Sequence, residues 1–179
     1  MKDKLIISNK LQTLWNELCV LHTYQYSFPK YILYFPKEYH KIIIEHEIKS
    51  LDKIVNLINT IQKNFNKRNE ILGKIKNEIN FYQNGNNIRK NGRIFNLIKE
   101  NMISLQLQNI EMFLNISKLK KEIYIGVKNG KYDLKQIKSY HKFLHIFDND
   151  LLIKLNSELN FIKDSNIGFL FNIQNNFDT

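Results

Sequence analysis

A long uninterrupted helical pattern occupies the middle of this chain. Residues 37–83 contain no proline and a single glycine, Gly73, and an apolar residue recurs every three or four positions. The pattern predicts one helix, which at about 1.5 Å per residue would be roughly 70 Å long. Helices of this length are typical of rod-like bundles, so function is expected on an outer surface. The predicted stripe is Ile44, Ile48, Leu51, Val55, Ile58, Ile61, Phe65, Leu72, Ile75, Ile79 and Tyr82.

One residue interrupts this apolar stripe. Arg68 falls where the helical spacing calls for a core side chain. The sequence alone gives no reason for a cation at that position.

Composition is that of a soluble, folded chain. The 179 residues are 43% hydrophobic and 25% charged, which fits one domain. We predict a helical bundle over residues 1–165 and a frayed, Asn-rich C-terminus over residues 166–179. No apolar run reaches the roughly 20 residues of a membrane span, and the N-terminus lacks a signal-length hydrophobic region, so an intracellular protein is expected. The single cysteine, Cys19, excludes an internal disulfide framework and a Cys-based zinc module, and it is predicted to be buried.

Positive charge is the strongest indication of a partner. The formal net charge is +10 and the pI is near 9.5. Such a chain is attracted to polyanions, which include nucleic acid, an anionic membrane and an acidic protein surface. Charge alone does not choose among these three.

Shorter elements are predicted before the long helix. Ser8 is placed to cap a first helix that runs through Leu21. Its inward face would carry Leu11, Leu14, Trp15, Leu18 and Leu21. Residues 23–35 are predicted to form a packed aromatic connector, and Pro36 suits the first turn of the long helix. The connector aromatics are Tyr24, Tyr26, Phe28, Tyr31, Tyr34 and Phe35.

A second long helix should follow and return antiparallel to the first. The Asn-Gly-Asn-Asn run at residues 84–87 is predicted to end the long helix, and residues 88–93 to form a basic loop. A helix is then predicted from about Ile94 to Tyr124. Its inward residues would be Ile98, Met102, Leu105, Met112, Ile116, Leu119 and Ile123.

The C-terminal part is predicted to contain a turn and a fourth helix. Residues 128–131, Lys-Asn-Gly-Lys, fit either a small hairpin or a plain helix-to-helix turn, and the second is favoured. Asp133 is placed to cap the fourth helix, which would pause at residues 148–150 and resume through Ile162. Its apolar face would carry Leu134, Ile137, Tyr140, Phe143 or Leu144, and Phe147.

Several segments, taken in order, resemble a known family. They are Leu-Trp-Asn-Glu-Leu at 14–18, Tyr-His-Lys-Ile-Ile-Ile-Glu-His-Glu-Ile-Lys-Ser-Leu at 39–51, Asn-Asn-Ile-Arg-Lys-Asn-Gly-Arg at 86–93, Asn-Leu-Ile-Lys-Glu at 96–100, and Ile-Gly-Val-Lys-Asn-Gly-Lys-Tyr at 125–132. Their order and spacing resemble the spectrin-like domain of the antiparallel microtubule crosslinkers. This is the family of the protein regulator of cytokinesis and the anaphase spindle elongation proteins.

The resemblance implies both a fold and a function. The fold would be all-α, an elongated antiparallel three-helix spectrin-like bundle with a shorter C-terminal helix. The chain would be a non-enzymatic protein without a cofactor that binds microtubules and bundles or crosslinks them in the spindle midzone during mitosis and cytokinesis. Its partners would be tubulin and a second copy of the chain, with no membrane, and it would be located in the cytoplasm on the cytoskeleton. The basic residues implied at the microtubule are Lys49, Lys53, Lys63, Lys67, Arg68, Arg89, Lys90 and Arg93.

Enzyme and metal motifs are weak in this sequence. His141 and His145 have the i, i+4 spacing of metal ligands, but no third His or Cys lies nearby in the sequence. His40 and His46 are six positions apart and fall well apart around a helix. The alternatives that stay open are a basic helical protein that binds nucleic acid and a structural coiled-coil subunit of a larger complex.

Overall fold

The computed structural model describes residues 8–84, 88–148, 150, 151, 153–155, 157 and 158. Every regular element among them is helical, which confirms the predicted all-α class. The α-helices are α1 (Asn9–Glu17), α2 (His22–Ile32), α3 (Lys37–Asn84), α4 (Ile88–Lys128), α5 (Leu134–Ser139) and α6 (Leu144–Phe147), with a 3-10 turn at His141–Phe143. Helical residues also occur at 151, 153–155, 157 and 158.

The chain forms two compact units, and both long helices contribute to each of them. The first unit comprises Met1–Ile61 and Asn115–Phe147, and the second comprises Gln62–Leu114 and Asp148–Thr179. The predicted boundary at residue 165 lies outside the described residues.

In the first unit the α3 and α4 segments are antiparallel. Glu47 of α3 contacts Lys131, just beyond the end of α4, whereas Lys53, further along α3, contacts Glu122 of α4. The inward side chains of the short helices are almost fully buried. Together with side chains of α3 and α4 they form the core of this unit. That core includes Leu11, Trp15, Leu18, Phe28, Ile32, Leu51, Ile54, Leu119, Ile123 and Ile137.

In the second unit the same two helices are again antiparallel. Arg68 contacts Asn109, and Glu78, further along α3, accepts hydrogen bonds from Asn101. Their facing side chains form an apolar cluster of Ile71, Leu72, Ile75, Ile79, Ile98 and Leu105, with Ile94, Phe95 and Met102 packed against it. Each unit is therefore a helical bundle around the predicted antiparallel pair.

The predicted long helix is confirmed, since α3 runs from Lys37 to Asn84. Pro36 directly precedes it, and the Tyr39 N–H donates to the Pro36 carbonyl at 2.9 Å. The predicted stripe is buried at Leu51, Ile61, Leu72, Ile75 and Ile79, and half-buried at Ile44, Ile48, Val55, Ile58 and Phe65. The side chain of Tyr82 lies outside the described residues.

The predicted basic loop at residues 88–93 is wrong, because α4 is already helical from Ile88. One interior glycine, Gly92, costs a helix only about 1 kcal/mol, and no proline is present to stop it. Helix formation is cooperative, so extending a helix that has already formed is favoured, and α4 reaches 41 residues. The predicted inward residues Ile98, Leu105, Met112, Ile116, Leu119 and Ile123 are buried, and Met102 is half-buried.

The first predicted helix is shorter than expected. The Ser8 hydroxyl accepts a hydrogen bond from the Leu11 N–H at 3.3 Å, which confirms the cap, but α1 ends at Glu17 and not at Leu21. Cys19 lies two residues after the end of α1 and has a left-handed backbone, with φ 54°. Its side chain is half-exposed, so its predicted burial is wrong. Partial burial raises the pKa of the thiol, which disfavours the reactive thiolate.

The predicted aromatic connector is a helix, α2, with Pro29 inside it. Only one helical face is packed, formed by Tyr24, Phe28 and Ile32 at i, i+4 spacing. The Phe28 ring meets the Trp15 ring edge-on at 5.6 Å. The predicted packed connector is therefore wrong, because the segment is a helix of which Tyr26 and Tyr31 are exposed, and Tyr34 and Phe35 after it are exposed as well.

The turn after α4 is the helix-to-helix turn that the sequence favoured. The Lys131 N–H donates to the Gly126 carbonyl at 2.8 Å and the Gly130 N–H to the Val127 carbonyl at 3.0 Å, the two bonds of a Schellman motif. Gly130 has φ 69°, where a side chain would be strained. The Tyr132 ring lies directly on Gly126 and fills the space of a side chain there.

The fourth predicted helix is correctly capped but broken. Asp133 Oδ1 accepts from the N–H groups of Lys135 at 2.7 Å and Gln136 at 3.0 Å. α5 nevertheless ends at Ser139, because Tyr140 has an extended backbone, and a 3-10 turn and α6 replace the expected continuous helix. Ile137 and Phe143 are buried as expected. The predicted ending at Ile162 and the frayed C-terminus lie outside the described residues.

Candidate basic interaction groove

An open groove of about 760 Å³ lies between α3 and α4 in the first unit. On α3 its lining recurs every three or four positions, so one side of that helix faces the groove. The lysine groove, as we call it, is lined by Lys49, Asp52, Lys53, Asn56, Leu57 and Thr60 of α3 and by Lys118, Lys121 and Glu122 of α4.

Both carboxylates of the groove are already paired. The Glu122 carboxylate lies 2.6 Å from the Lys53 ammonium, and the Asp52 carboxylate lies 2.7 Å from the ammonium of Lys10, a residue of α1. Pairing offsets these charges locally and links α1 and α4 to α3 through exposed, individually weak contacts. The acidic side chains therefore do little to neutralise the remaining lysines.

Three groove lysines are not paired with a described carboxylate. Lys49, Lys118 and Lys121 are exposed, and none of them forms an ion pair with another described residue. They lie on two facing helices and not on one solvated face. Cations arranged on both sides of a groove raise the local concentration of anions by focusing the positive potential. The arrangement fits an elongated acidic surface or segment.

The structure separates the predicted basic residues into different places. Lys49 and Lys53 line the groove, whereas Lys63 and Lys67 are exposed on the α3 segment of the second unit. Arg93 is exposed on α4; Arg89 and Lys90 are in its first helical turn, and their side chains lie outside the described residues.

Sequence reasoning missed the α4 side of the groove. Lys118 and Lys121 belong to a Lys-Leu-Lys-Lys run at residues 118–121. The run is visible in the sequence as a cluster of cations. Its position opposite Lys49 and Lys53 is not, because that position depends on the antiparallel register of α3 and α4.

Arg68 does not belong to an outer basic surface, which corrects the predicted set. Its side chain is 2% exposed. The guanidinium donates to Asn109 Oδ1 at 2.8 Å, to the adjacent Asn69, and to the Glu158 carboxylate, with which it forms an ion pair. The interruption of the apolar stripe is therefore a buried polar contact between α3, α4 and the C-terminal helical residues of the second unit.

A second buried ion pair lies in the core of the first unit. The Lys131 ammonium contacts both Glu47 carboxylate oxygens, at 2.8 and 2.9 Å, and the Trp15 indole N–H donates to Glu47 at 3.4 Å. The same ammonium lies 5.1 Å from the centre of the Tyr24 ring. This cluster joins α1, α2, α3 and the turn after α4. Because Glu47 and Lys131 are each less than a tenth exposed, the cluster stabilises the fold and does not serve as a binding site.

Two tyrosines beside this cluster should resist ionisation. Burial, assisted by the nearby Glu47 charge, raises the pKa of both Tyr24 and Tyr132 far above the ordinary value. Tyr26 differs from these two because it is exposed. A hydrogen bond with Lys30 and the charge of Lys30 lower the pKa of Tyr26.

We therefore expect tyrosine ionisation to limit stability in alkali. The raised folded-state pKa means that the native protein keeps protons which the unfolded chain loses near pH 10. The stability that these tyrosines contribute is therefore fully present below about pH 10 and is lost as pH rises, by at most about 1.4 kcal/mol per pH unit for Tyr132 and by less for the more exposed Tyr24. Tyrosinate absorbance and far-ultraviolet circular dichroism, followed together, should show two of the nine tyrosines ionising only as the helices unfold. Ionisation of all nine with intact helices would contradict the assignment.

The described residues contain neither a metal cluster nor a membrane span. No three His, Cys, Asp or Glu side chains among them are grouped so that they could hold a metal ion. Within the same part of the chain, no helix combines the length and the apolar character needed to cross a bilayer.

Comparison of the chain with protein-family models, with curated proteins and with solved structures finds no match.

Proposed function

We propose that this chain is a non-enzymatic microtubule-binding protein that docks on the acidic outer surface of tubulin through the lysine groove. The observation that carries the proposal is the set of exposed lysines on facing helices, Lys49, Lys118 and Lys121, beside Lys53. None of the first three forms an ion pair with a described residue. The ordered sequence segments that resemble the antiparallel microtubule crosslinkers support the choice of this acidic partner. A role in bundling or crosslinking microtubules of the spindle midzone, in the cytoplasm, follows from that resemblance.

The physics of the groove favours fast and reversible binding. Each exposed lysine contact with a carboxylate contributes up to about 1 kcal/mol and is weakened by salt. Lys53 adds to the three free lysines when an acidic partner replaces Glu122, because that exposed pair is itself weak. Several such contacts along a polymer with repeated binding sites give useful affinity without a deep pocket.

The lining of the groove distinguishes this proposal from the binding of single-stranded nucleic acid. Proteins that bind single-stranded nucleic acid combine cations with aromatic side chains on which bases stack. Among the residues that the structure describes, the groove lining contains lysines, carboxylates, Asn56, Leu57 and Thr60, but no aromatic ring. Charge without a stacking surface favours an acidic protein over a single strand.

Binding assays in parallel test the choice of partner. At low salt we expect the chain to pellet with stabilised microtubules and to shift RNA or DNA in a gel only weakly. A strong gel shift without microtubule pelleting would contradict the proposal and favour the nucleic-acid alternative. Binding to neither polymer would also contradict it and favour a structural subunit of a larger complex.

The basic start of α4 supplies a second set of candidate contacts, on the second unit. Replacing Arg89, Lys90 and Arg93 together with Glu should weaken microtubule pelleting, because it reverses three positive charges near the start of α4. The helix should persist in the variant, because acidic residues in a first turn interact favourably with the helix dipole. Circular dichroism checks the fold, and unchanged pelleting at low salt would remove these residues from the binding surface.

A further inference from the structure

A cluster of exposed aromatic and aliphatic side chains lies where α2 turns into α3. None of the side chains of residues 33–46, all of which the structure describes, is buried. Tyr34 is the most exposed member of the cluster, at 88%. An exposed apolar surface of this kind, bordered by polar residues, is typical of a site that binds a protein or a membrane. The aromatic corner, as we call it, consists of the exposed residues Tyr26, Tyr31, Leu33, Tyr34, Phe35, Tyr39 and Ile42.

The corner lies beyond the end of α4 in the first unit. Lys53 of α3 is level with Glu122 of α4, because their side chains form an ion pair. Since the helices are antiparallel, the last residue of α4, Lys128, is level with Glu47, which lies six residues before Lys53. Residues 37–46, about 15 Å of α3, therefore extend past α4. α4 does not cover the corner.

Backbone hydrogen bonds hold the corner in place. The Tyr34 N–H donates to the Tyr31 carbonyl at 3.1 Å. The Phe35 N–H donates to the Ile32 carbonyl at 2.9 Å, and the Phe35 carbonyl lies 2.8 Å from His40 Nε2. Unpaired backbone groups are costly in an apolar environment, so a turn whose polar groups are bonded within the protein is suited to leave water.

The tip of the corner is uncharged, and a lysine stands on either side of it. Residues 31–36, Tyr-Ile-Leu-Tyr-Phe-Pro, lie between Lys30 and Lys37. Lysines that flank an apolar segment keep their ammonium groups among lipid phosphates while the segment enters the bilayer interface. Tyrosine is enriched at this depth because its ring is apolar and its hydroxyl is polar. The composition of the corner therefore fits an anionic lipid surface.

The corner fits a nucleic-acid strand less well. Residues 26–42 contain three lysines and one glutamate, a net charge of +2, whereas a strand carries one negative charge at each phosphate. The Lys30 ammonium lies 3.8 Å from the centre of the Tyr26 ring and occupies the face on which a base would stack. Leu33 and Ile42 are aliphatic and offer no stacking surface. Aliphatic and aromatic side chains together favour lipid.

We propose that the aromatic corner is a peripheral membrane-binding site, which inserts into the headgroup region of an anionic lipid bilayer. Its rings and Leu33 enter the interface, and Lys30 and Lys37 lie among the lipid phosphates. This contact needs no membrane-spanning helix. It departs from the expectation, drawn from the family resemblance, that the chain has no membrane partner. It is independent of the lysine groove, whose lining on α3 begins at Lys49.

Flotation with lipid vesicles tests the corner. The chain should float with vesicles of phosphatidylcholine that contain phosphatidylserine as the minor component. Replacing Leu33 and Tyr34 together with Ser changes no charge and should weaken binding at least about tenfold, because two apolar contacts with lipid are lost. Circular dichroism and microtubule pelleting should stay unchanged, since both side chains are exposed and neither lines the groove. A matched control replaces Leu107 and Ile110, exposed on α4 in the second unit, with Ser and should float like the wild type.

A conservative variant, Tyr34→Trp, tests insertion directly. Phosphatidylcholine with brominated acyl chains should quench the fluorescence of the added tryptophan. The emission of Trp15, which is 1% exposed, should not be quenched in the wild type.

A wild type that does not float would overturn the proposal. So would equal flotation of the wild type and the Leu33 and Tyr34 variant, or a Tyr34→Trp variant that bromine does not quench. Flotation that is lost only when Lys49, Lys118 and Lys121 are replaced with Glu would show adsorption through the lysine groove, which also overturns it. A gel shift of single-stranded RNA that the Leu33 and Tyr34 changes remove, without flotation, would replace lipid with nucleic acid as the partner.

Discussion

Replacing Lys131 with Ala is expected to lower the free energy of unfolding of the first unit by about 3–5 kcal/mol. The change leaves the Glu47 carboxylate buried without its cation and with only neutral donors, the Trp15 indole and the Tyr24 hydroxyl, whereas the native pair holds both charges at 2.8–2.9 Å. A buried carboxylate without a counter-charge loses more hydration free energy than its remaining neutral hydrogen bonds return, and this cost exceeds the loss of lysine packing.

Urea denaturation followed by Trp15 fluorescence measures this effect, because Trp15 is the only tryptophan and belongs to the first unit. The exposed pair Lys10–Asp52 supplies a matched control, since Lys10→Ala should cost no more than about 1 kcal/mol. Replacing Glu47 with Leu and Lys131 with Met together should recover much of the loss, because no uncompensated charge remains. An equal effect of Lys131→Ala and Lys10→Ala would contradict the account.

The second large effect is expected at Arg68. Replacing it with Leu restores an uninterrupted apolar stripe on α3, but we expect it to destabilise the second unit by about 2–3 kcal/mol. Asn109 is 6% exposed and would lose its donor, and Glu158 would lose its cation. We expect a destabilisation at the low end of the range for a broken buried ion pair. The reason is that the Glu158 side chain is 21% exposed and regains some hydration.

Urea denaturation followed by circular dichroism tests the Arg68 prediction. Replacing Arg68 and Asn109 together with Leu should cost less than Arg68→Leu alone, since the double change removes the orphaned amide. Asn69→Ala, which removes only the long 3.4 Å contact at the protein surface, should stay within about 0.5 kcal/mol of the wild type. A stabilised Arg68→Leu variant would show that the position is an ordinary core site.

The predictable part of this fold is the part that local pattern determines. The period of apolar residues predicted α3 to within one residue at its C-terminus. The Lys-Asn-Gly-Lys segment at residues 128–131 predicted the turn at Gly130. α2 was missed because Pro29 and its many aromatics suggested a connector, although only one face of that helix is packed. The start of α4 was not predicted because Gly92 and the cations around it are typical of a loop. The prediction did not take into account that helix formation is cooperative along a long helix.

The polar contacts could not be predicted, because they join distant parts of the chain. Arg68 meets residues 41 and 90 positions away, and Lys53 meets a carboxylate 69 positions away. For the same reason the sequence placed Lys49 and Lys53 at the proposed surface but not Lys118 and Lys121. Only the register of α3 against α4 shows that the four lysines line a single groove.

Microtubule co-sedimentation as a function of salt tests the lysine groove most directly. The test variant carries Glu at Lys49, Lys118 and Lys121. The control carries Glu at three exposed lysines away from the groove, Lys74, Lys76 and Lys135, so that the net charge changes equally.

We expect wild-type pelleting to weaken steadily as salt rises and the control to resemble the wild type. The groove variant should bind at least about tenfold more weakly at low salt. Equal binding by the groove variant and the control, or wild-type pelleting that does not respond to salt, would contradict the proposal.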